Sequence, residues 1–450
     1  MSARLSTPDK LGVARRVEAT FRVKDDLYLL GGMERGVTLY NQHVRAHNLA
    51  WALWELENAG VRNLGSVAVI GAGASGLTAA AGILGLFEGA KSITLFEQLW
   101  DLCPLQQGAD SRWLHPRLYN WPEPGSRAPT ASLPVLNWSE GRASDVARTI
   151  VGEFGRYCDR FARNPASLSV ILGLRYFQID ASTQEIAWIG TQALRDGPFF
   201  RTGASEGRGA RFDTIIVAAG FGLERSTAKF PIASYWRNEQ IGQPLLDGQQ
   251  ARYVVSGYGD GALVDLCRLT IERFRQDTII YELFGDVPDL IENKLYEDIQ
   301  ELGSTVNLYE YFVKIDETML GNARQELARR LRKDTFVALH LSGKSGKTKS
   351  IREIFGPTSS KLSRLLAYLL YRCGAYTVGF HDLGALVRRH NAPIQKVLCR
   401  HGTDTRAHIS AMITNYVGLP ERLNEMRDRQ DQVPVPLWSV GAFPNVLGRG

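Results

Sequence analysis

The stretch VAVIGAGASGL, Val67 to Leu77, decides how this chain is read. An apolar run leads into Gly71-x-Gly73-x-x-Gly76, and a helix-forming segment follows. Gly71 permits a tight turn, Gly73 lets the backbone approach a pyrophosphate, and Gly76 lets the helix pack closely on the strand. The N–H groups and dipole at the helix start, around Ala74 and Ser75, favour phosphate oxygens. Further on, ITLFE ends in Glu97, where a carboxylate can accept hydrogen bonds from ribose hydroxyls, with Gln98 beside it. The competing reading is a glycine-tolerant contact between a helix and a strand.

The same grammar occurs again as YVVSGYGDGAL, Tyr253 to Leu263, with Glu282 ending TIIYE. The first glycine precedes the acid by 26 residues in one copy (Gly71 to Glu97) and by 25 in the other (Gly257 to Glu282). Here the pattern is Gly257-x-Gly259-x-x-Ala262, with Asp260 and Gly261 inside it; alanine at the third position is a recognised variant. A helix is predicted from about Gly261 to Phe274, with Leu263, Leu266, Cys267, Thr270 and Phe274 on one face. A carboxylate at Glu282 would repel a 2′-phosphate and so favours NAD(H), while Arg273 and Arg275 keep NADP(H) open. A plain βαβ unit without a ligand is the simpler alternative.

Composition sets the frame. The 450 residues exceed one ordinary core and suggest two or three domains. The chain is 44% apolar and 22% charged, an ordinary soluble balance. Its +6 charge suits anionic cofactors without demanding nucleic acid. Residues 65–87 carry no charge, a length that can span a membrane, but the run holds six glycines and is split by the glycine turn. The opening MSARLSTPDK has charges and no apolar core of signal-peptide length. The five cysteines are far apart with no CxxC; with the odd count, this predicts a reducing, cytoplasmic setting. No metal-ligand spacing is found.

Helices are predicted over Tyr40–Asn58 (with Val44, Leu49, Ala52, Leu53 and Leu56 buried), Thr78–Phe87, Ala143–Arg163, Asp289–Arg332 and Ser363–Cys373. Strands are predicted at Ser92–Glu97, Phe212–Gly222, Thr335–Leu341 and in PLWSVGAF near the C-terminus, with a β-meander over 167–212. Residues 101–140 are rich in Trp and Pro without period, and such long irregular stretches are usually functional. The expected division is an N-terminal helical extension (1–64), a first nucleotide domain (65–250), a second (251–345) and a partly helical C-terminal region (346–450) that returns toward the first domain.

The order of fingerprint, acid, meander, a strand ending Ala218-Ala219-Gly220 and a second fingerprint resembles the two-dinucleotide-binding flavoproteins. That group contains glutathione-reductase-like enzymes and flavin-dependent monooxygenases, and the resemblance covers roughly residues 65–285. It implies an α/β fold: a Rossmann-like FAD-binding domain with an inserted β-meander and a second Rossmann-like NAD(P)-binding domain. By the same resemblance Gly71, Gly73, Gly76 and Glu97 would hold FAD. Ala219 and Gly220 would mark the turn where the chain leaves that domain, and Gly257, Gly259, Ala262 and Glu282 would hold NAD(P)H. Many flavoproteins also carry a late Gly-Asp whose carboxylate binds the flavin ribityl chain. Gly259-Asp260 matches that pair, and in that case the second nucleotide site disappears. The redox CxxC of the disulfide reductases is missing. The motif of Baeyer–Villiger monooxygenases is also missing, HPRLYNWP (His115 to Pro122) being only superficially like it. Residues 286–450 match no family pattern.

The stretch after Glu97 supplies further candidates: Gln106, Gln107, Arg112, Trp113 and His115. An arginine can pair with a pyrophosphate, a tryptophan can stack on a flat ring, and His115 can act as an acid or base. Against these stand a loop histidine held beside Pro116 and simple packing for Trp113, Trp121 and Trp138. GKSGKT (Gly343 to Thr348) falls short of a Walker A loop because Leu341 stands where glycine or alanine is needed. LCRHGTD (Leu398 to Asp404) is like the Arg-His-Gly of histidine phosphatases but lies too near the C-terminus, leaving His401 structural or near a cofactor. The basic stretch with Lys344, Lys347, Lys349, Arg352, Lys361 and Arg364 holds one aromatic, Phe355, and reads as a solvated loop.

The expectation is an FAD-dependent oxidoreductase using NAD(P)H and a small-molecule substrate. Hydride would pass from nicotinamide to flavin and then to oxygen or the substrate, monooxygenase-like by elimination. A homo-oligomer is compatible with this reading. Two other classes stay open: a flavin amine or amino-acid oxidase or dehydrogenase without a nicotinamide site, and a non-catalytic dinucleotide-binding sensor or assembly component.

Overall fold

The computed structural model describes residues 7–32, 37–162, 166–190, 197, 199–200, 206–220, 224, 230, 234–245, 250–285, 288–303, 305–341, 350–380, 382–430 and 434–445. The lysine-rich GKSGKT segment and parts of the expected meander (191–196, 198 and 201–205) lie outside them. The chain begins with α1 (Thr7–Phe21), β1 (Arg22–Lys24), β2 (Leu27–Leu29) and α2 (Leu39–Asn58). The first glycine unit is β3 (Ser66–Ile70), α3 (Ala74–Leu86) and β4 (Ser92–Phe96). The irregular stretch carries the short pair β5 (Trp113–Leu114) and β6 (Gly141–Arg142). Then come α4 (Ala143–Phe161), β7 (Leu168–Ile171), β8 (Leu174–Asp180), β9 (Glu185–Gly190), β10 (Glu206–Arg211) and β11 (Thr214–Val217).

The second glycine unit opens with β12 (Ala251–Ser256) and α5 (Asp260–Thr270). Among the described residues four α-helices follow before the next strand, α6 (Ile279–Phe284), α7 (Pro288–Leu302), α8 (Tyr309–Ile315) and α9 (Gly321–Arg329), the last two joined by a π-helical turn (Asp316–Leu320). The chain continues through β13 (Thr335–His340), α10 (Lys361–Arg372), β14 (Thr377–Gly379), α11 (Leu383–Arg389), β15 (Val397–Cys399), α12 (Thr405–Met412), β16 (Ile413–Thr414) and α13 (Leu419–Gln430).

This is a mixed α/β fold built on two sheets whose central strands are parallel. The first has the order β1-β2-β11-β3-β4-β7, and the second β14-β13-β12-β15. Leaving aside β1 and β2, which extend the sheet beyond β11 (β2 parallel to it, β1 antiparallel to β2), the strands β3, β4, β7 and β11 run 3-2-1-4 in chain order. The second sheet repeats that order with β12, β13, β14 and β15. This run matches the first four strands of the doubly wound order 3-2-1-4-5-6. The strands read as continuous apolar runs because both faces are covered, in the first sheet by α2 and α3 on one side and by the meander strands β8 and β9 on the other. In β3, Val67 to Ile70 are all buried.

Three parts of the fold depart from the expected division. Residues 7–58 are no separate extension: β2 pairs with β11, and α2 packs along α3. Gly82 makes that close approach possible, since a Cβ there would sit 3.1 Å from the Ala50 Cβ. Leu49 and Leu53, both fully buried on α2, stabilise the contact by roughly 1.5–3 kcal/mol each. The second sheet does not end near 345, because β14 and β15 complete it. Farther on, β16 joins the meander beside β8. The segment PLWSVGAF is irregular and not a strand; Asn48 on α2 holds it, donating to Val435 O and accepting from Leu437 N.

Candidate functional site

The first turn connects β3 to α3. Gly71 has φ +102°, its N–H bonds to Phe96 O at 2.7 Å, and a Cβ there would fall 2.5 Å from Ala218 O at the end of β11. Gly76 is needed for a different reason: a Cβ would lie 1.8 Å from Gly71 O. Gly73, the N-cap of α3, has no neighbour within 4 Å of a Cβ position, and no side chain caps the helix. The start of α3, at Ala74 and Ser75, can therefore offer N–H groups to an anion beside an open turn. Gly220, φ +69°, faces equally open space where the chain leaves β11 after Ala219.

Glu97 follows β4 directly and is 8% exposed. Its two oxygens accept from Ala72 N at 2.7 Å and Leu99 N at 2.8 Å. Burial raises its pKa, and these backbone bonds oppose the rise. A carboxylate has about four lone-pair sites, so acceptor capacity remains for ribose hydroxyls. Gln98, next in the chain, is exposed.

The second turn copies the backbone of the first. Gly257 has φ +129°, donates to His340 O, and a Cβ there would meet Arg400 O at 2.2 Å, just past the fourth strand. Gly259 caps α5 and is open, like Gly73. Ala262 fits because it approaches a Cβ built on Gly257 only to 3.4 Å.

The chemistry of this second turn differs from the expectation. TIIYE is not a strand; Ile279–Phe284 is helix α6, and Glu282 pairs with Arg330. The second strand of the unit is β13, reached after the four-helix insertion, and Leu341 stands where Glu97 stands in the first unit. Short strands and short helices share apolar runs of this length, so periodicity alone does not separate them. The Asp260 carboxylate is engaged by the start of α10. Its Oδ1 accepts from Ser360 N at 3.0 Å and Ser360 Oγ at 2.8 Å, tying the starts of α5 and α10 together. Burial raises its pKa. Ser256, at the end of β12, has its hydroxyl 2.7 Å from both His340 Nδ1 and His401 Nε2.

Arg112, expected at a pyrophosphate, is buried and paired within the protein. Its guanidinium pairs with Asp265 of α5, donates from Nε to Tyr235 O at 2.7 Å, and lies over the Tyr235 ring at 4.0 Å. Arg400 takes the other Asp265 oxygen at 2.8 Å and reaches Glu224 at 3.1 Å. Burial alone would raise the fully buried Asp265, but the two guanidinium groups hold its pKa below the ordinary value. This network joins the irregular stretch to the second unit. Asp265 lies amid Leu263, Val264, Leu266 and Cys267, and a carboxylate in such a run signals a buried ion pair.

A cleft of about 430 Å³ lies over the second turn, which forms part of its wall with Gly259, Asp260 and Gly261. Thr38 and Leu39, at the start of α2, also line it. Because α2 and α3 run the same way, with His43 against Thr78 and Ala50 against Gly82, the start of α2 lies at the same end as the first turn. Trp113 and His115 line the cleft as well. Arg275 stacks on Trp113 at 3.8 Å. His115 Nδ1 accepts from Arg117 N and Leu118 N, its Nε2 faces Glu140 at 3.4 Å, and burial lowers its pKa. These bonds give the ring a structural task at the cleft wall.

Among the described residues no group of His, Cys, Asp and Glu is arranged to hold a metal, and no helix is long and apolar enough to cross a membrane. No disulfide joins any of the five cysteines. No protein-family model matches the chain, and no curated protein matches it.

Proposed function

We propose that this chain is an FAD-dependent oxidoreductase whose dinucleotide lies on the first turn. The observation that carries the reading is the open, uncapped start of α3 at Gly73 beside Glu97. The backbone N–H groups at Ala74 and Ser75 would receive the pyrophosphate, and Glu97 a ribose. The flavin would supply two-electron transfer; the protein supplies orientation and a sheltered cleft. The extension of the cleft from the α2 start to the second turn supports a reductant or substrate meeting the flavin there.

Two electron donors fit this frame. The repeated 3-2-1-4 order and the Gly257 turn support NAD(P)H as donor. With Leu341 in the place of the acid, a 2′-phosphate meets no carboxylate at that strand end, so NADPH is expected to serve at least as well as NADH. Asp260 at the start of α5 favours the other donor, a substrate that reduces the flavin directly, because a carboxylate there disfavours a pyrophosphate.

The test is the absorbance spectrum of purified protein reconstituted with FAD, followed by anaerobic titration with NADPH and NADH. A protein that stays colourless after reconstitution overturns the flavin reading. Bleaching by NADPH assigns the donor to the second turn; a flavin untouched by both nucleotides assigns it to the substrate.

A further inference from the structure

We infer that the cleft over the second turn binds an uncharged, flat aromatic molecule. Calling that molecule the flavin's substrate rests on the function proposed above; the binding site itself rests on the cleft alone.

The cleft, about 430 Å³, is of small-molecule size. Four aromatic side chains line it: Trp113, Tyr119, Tyr235 and Trp236. Two of these rings are each packed against a guanidinium group. The Arg275 guanidinium stacks on Trp113 at 3.8 Å, and that of Arg112 on Tyr235 at 4.0 Å. A ring already fixed loses little freedom when a planar ligand stacks on it.

The charges at the cleft are balanced internally. Among the described residues, Arg400 is paired with Asp265 and Glu224, and Asp260 takes the N–H and hydroxyl of Ser360. A dianionic ligand would need a cation that is not already engaged, and desolvating an unpaired charge is costly. The helix start that would otherwise attract phosphate faces the Asp260 carboxylate instead. Neutral hydrogen-bonding groups are present: Gln276 and Thr358 line the cleft. An aromatic ligand with a polar edge suits both the ring walls and these side chains.

Indole serves as the probe, with indole-3-acetate as its anionic counterpart and inorganic pyrophosphate and NADPH as competitors. Binding to the full-length chain is measured by calorimetry, with and without FAD. Indole is expected to bind, indole-3-acetate at least about tenfold more weakly, and neither competitor is expected to displace indole. Trp236→Ala is expected to weaken indole roughly fivefold. Gln276→Ala, at a loop position that disturbs the fold less, is expected to weaken it about threefold through one lost hydrogen bond. Displacement by pyrophosphate or NADPH overturns the inference, as does indole binding unchanged in both variants or no indole binding at all. Indole bound by protein that takes up no FAD removes the flavin reading and leaves the cleft standing. FAD-loaded protein that ignores indole does the reverse.

Discussion

The two glycine turns share a backbone and differ in their chemistry. In both, the first glycine adopts a positive φ against the carbonyl that follows the fourth strand, and the second glycine is open. The first turn adds a buried acid at the next strand end and an uncharged helix start. The second has Leu341 in place of that acid, and a carboxylate at the start of its helix. Topology was copied along the chain without the groups that select a ligand. A repeated fold is thus weaker evidence for a repeated ligand than the side chains at the ends of its strands.

Substitutions can break or sharpen this contrast. Gly76→Ala should have the largest effect, because its Cβ would lie 1.8 Å from a backbone carbonyl. We expect a loss beyond about 4 kcal/mol in urea unfolding; a small loss would mean that the first turn is as tolerant as the second, where alanine already stands.

Asp265→Asn should cost about 3–5 kcal/mol, since it leaves two buried guanidinium groups sharing a neutral amide. The folded-state pKa of Asp265 is depressed. Its contribution is therefore present above the ordinary carboxylate pKa and lost as pH falls through the folded value. Wild type should show this acid limb in its stability profile, and the variant should lack it.

Glu97→Gln should cost about 1–3 kcal/mol, because an amide oxygen replaces two acceptors that now serve Ala72 N and Leu99 N. Unchanged denaturant midpoints in this variant would show that Glu97 does not brace the first turn. Ala262→Gly, the reverse change on the second turn, should cost only about 1 kcal/mol, the helix propensity difference.

Asp260→Asn should act mainly through pH. Its folded-state pKa is raised, so its contribution is full below the ordinary carboxylate pKa and lost as pH rises through the folded value. Thermal melts across that window should flatten in the variant, and an unaltered slope would place the pH dependence elsewhere.

Local signals made much of the first unit legible. Glycine spacing and an apolar strand mark a turn whose geometry depends on neighbours within a few residues. The helix predicted over Tyr40–Asn58 appears as Leu39–Asn58, with its expected apolar residues buried. The second unit was harder to read because its partner strand lies beyond a four-helix insertion. Glu282 stands at the right count from Gly257 but on a helix, paired with Arg330. Arg112 carried no local sign that its partner, Asp265, lay across the molecule.

By itself the sequence determined the two turns, since steric limits on φ and Cβ act over a handful of residues. Only the tertiary structure decided which strand follows each turn, which carboxylate stands at its end and which guanidinium groups are already engaged. Those depend on strand pairing across a helical insertion and on ion pairs between segments more than a hundred residues apart, and no local period records them.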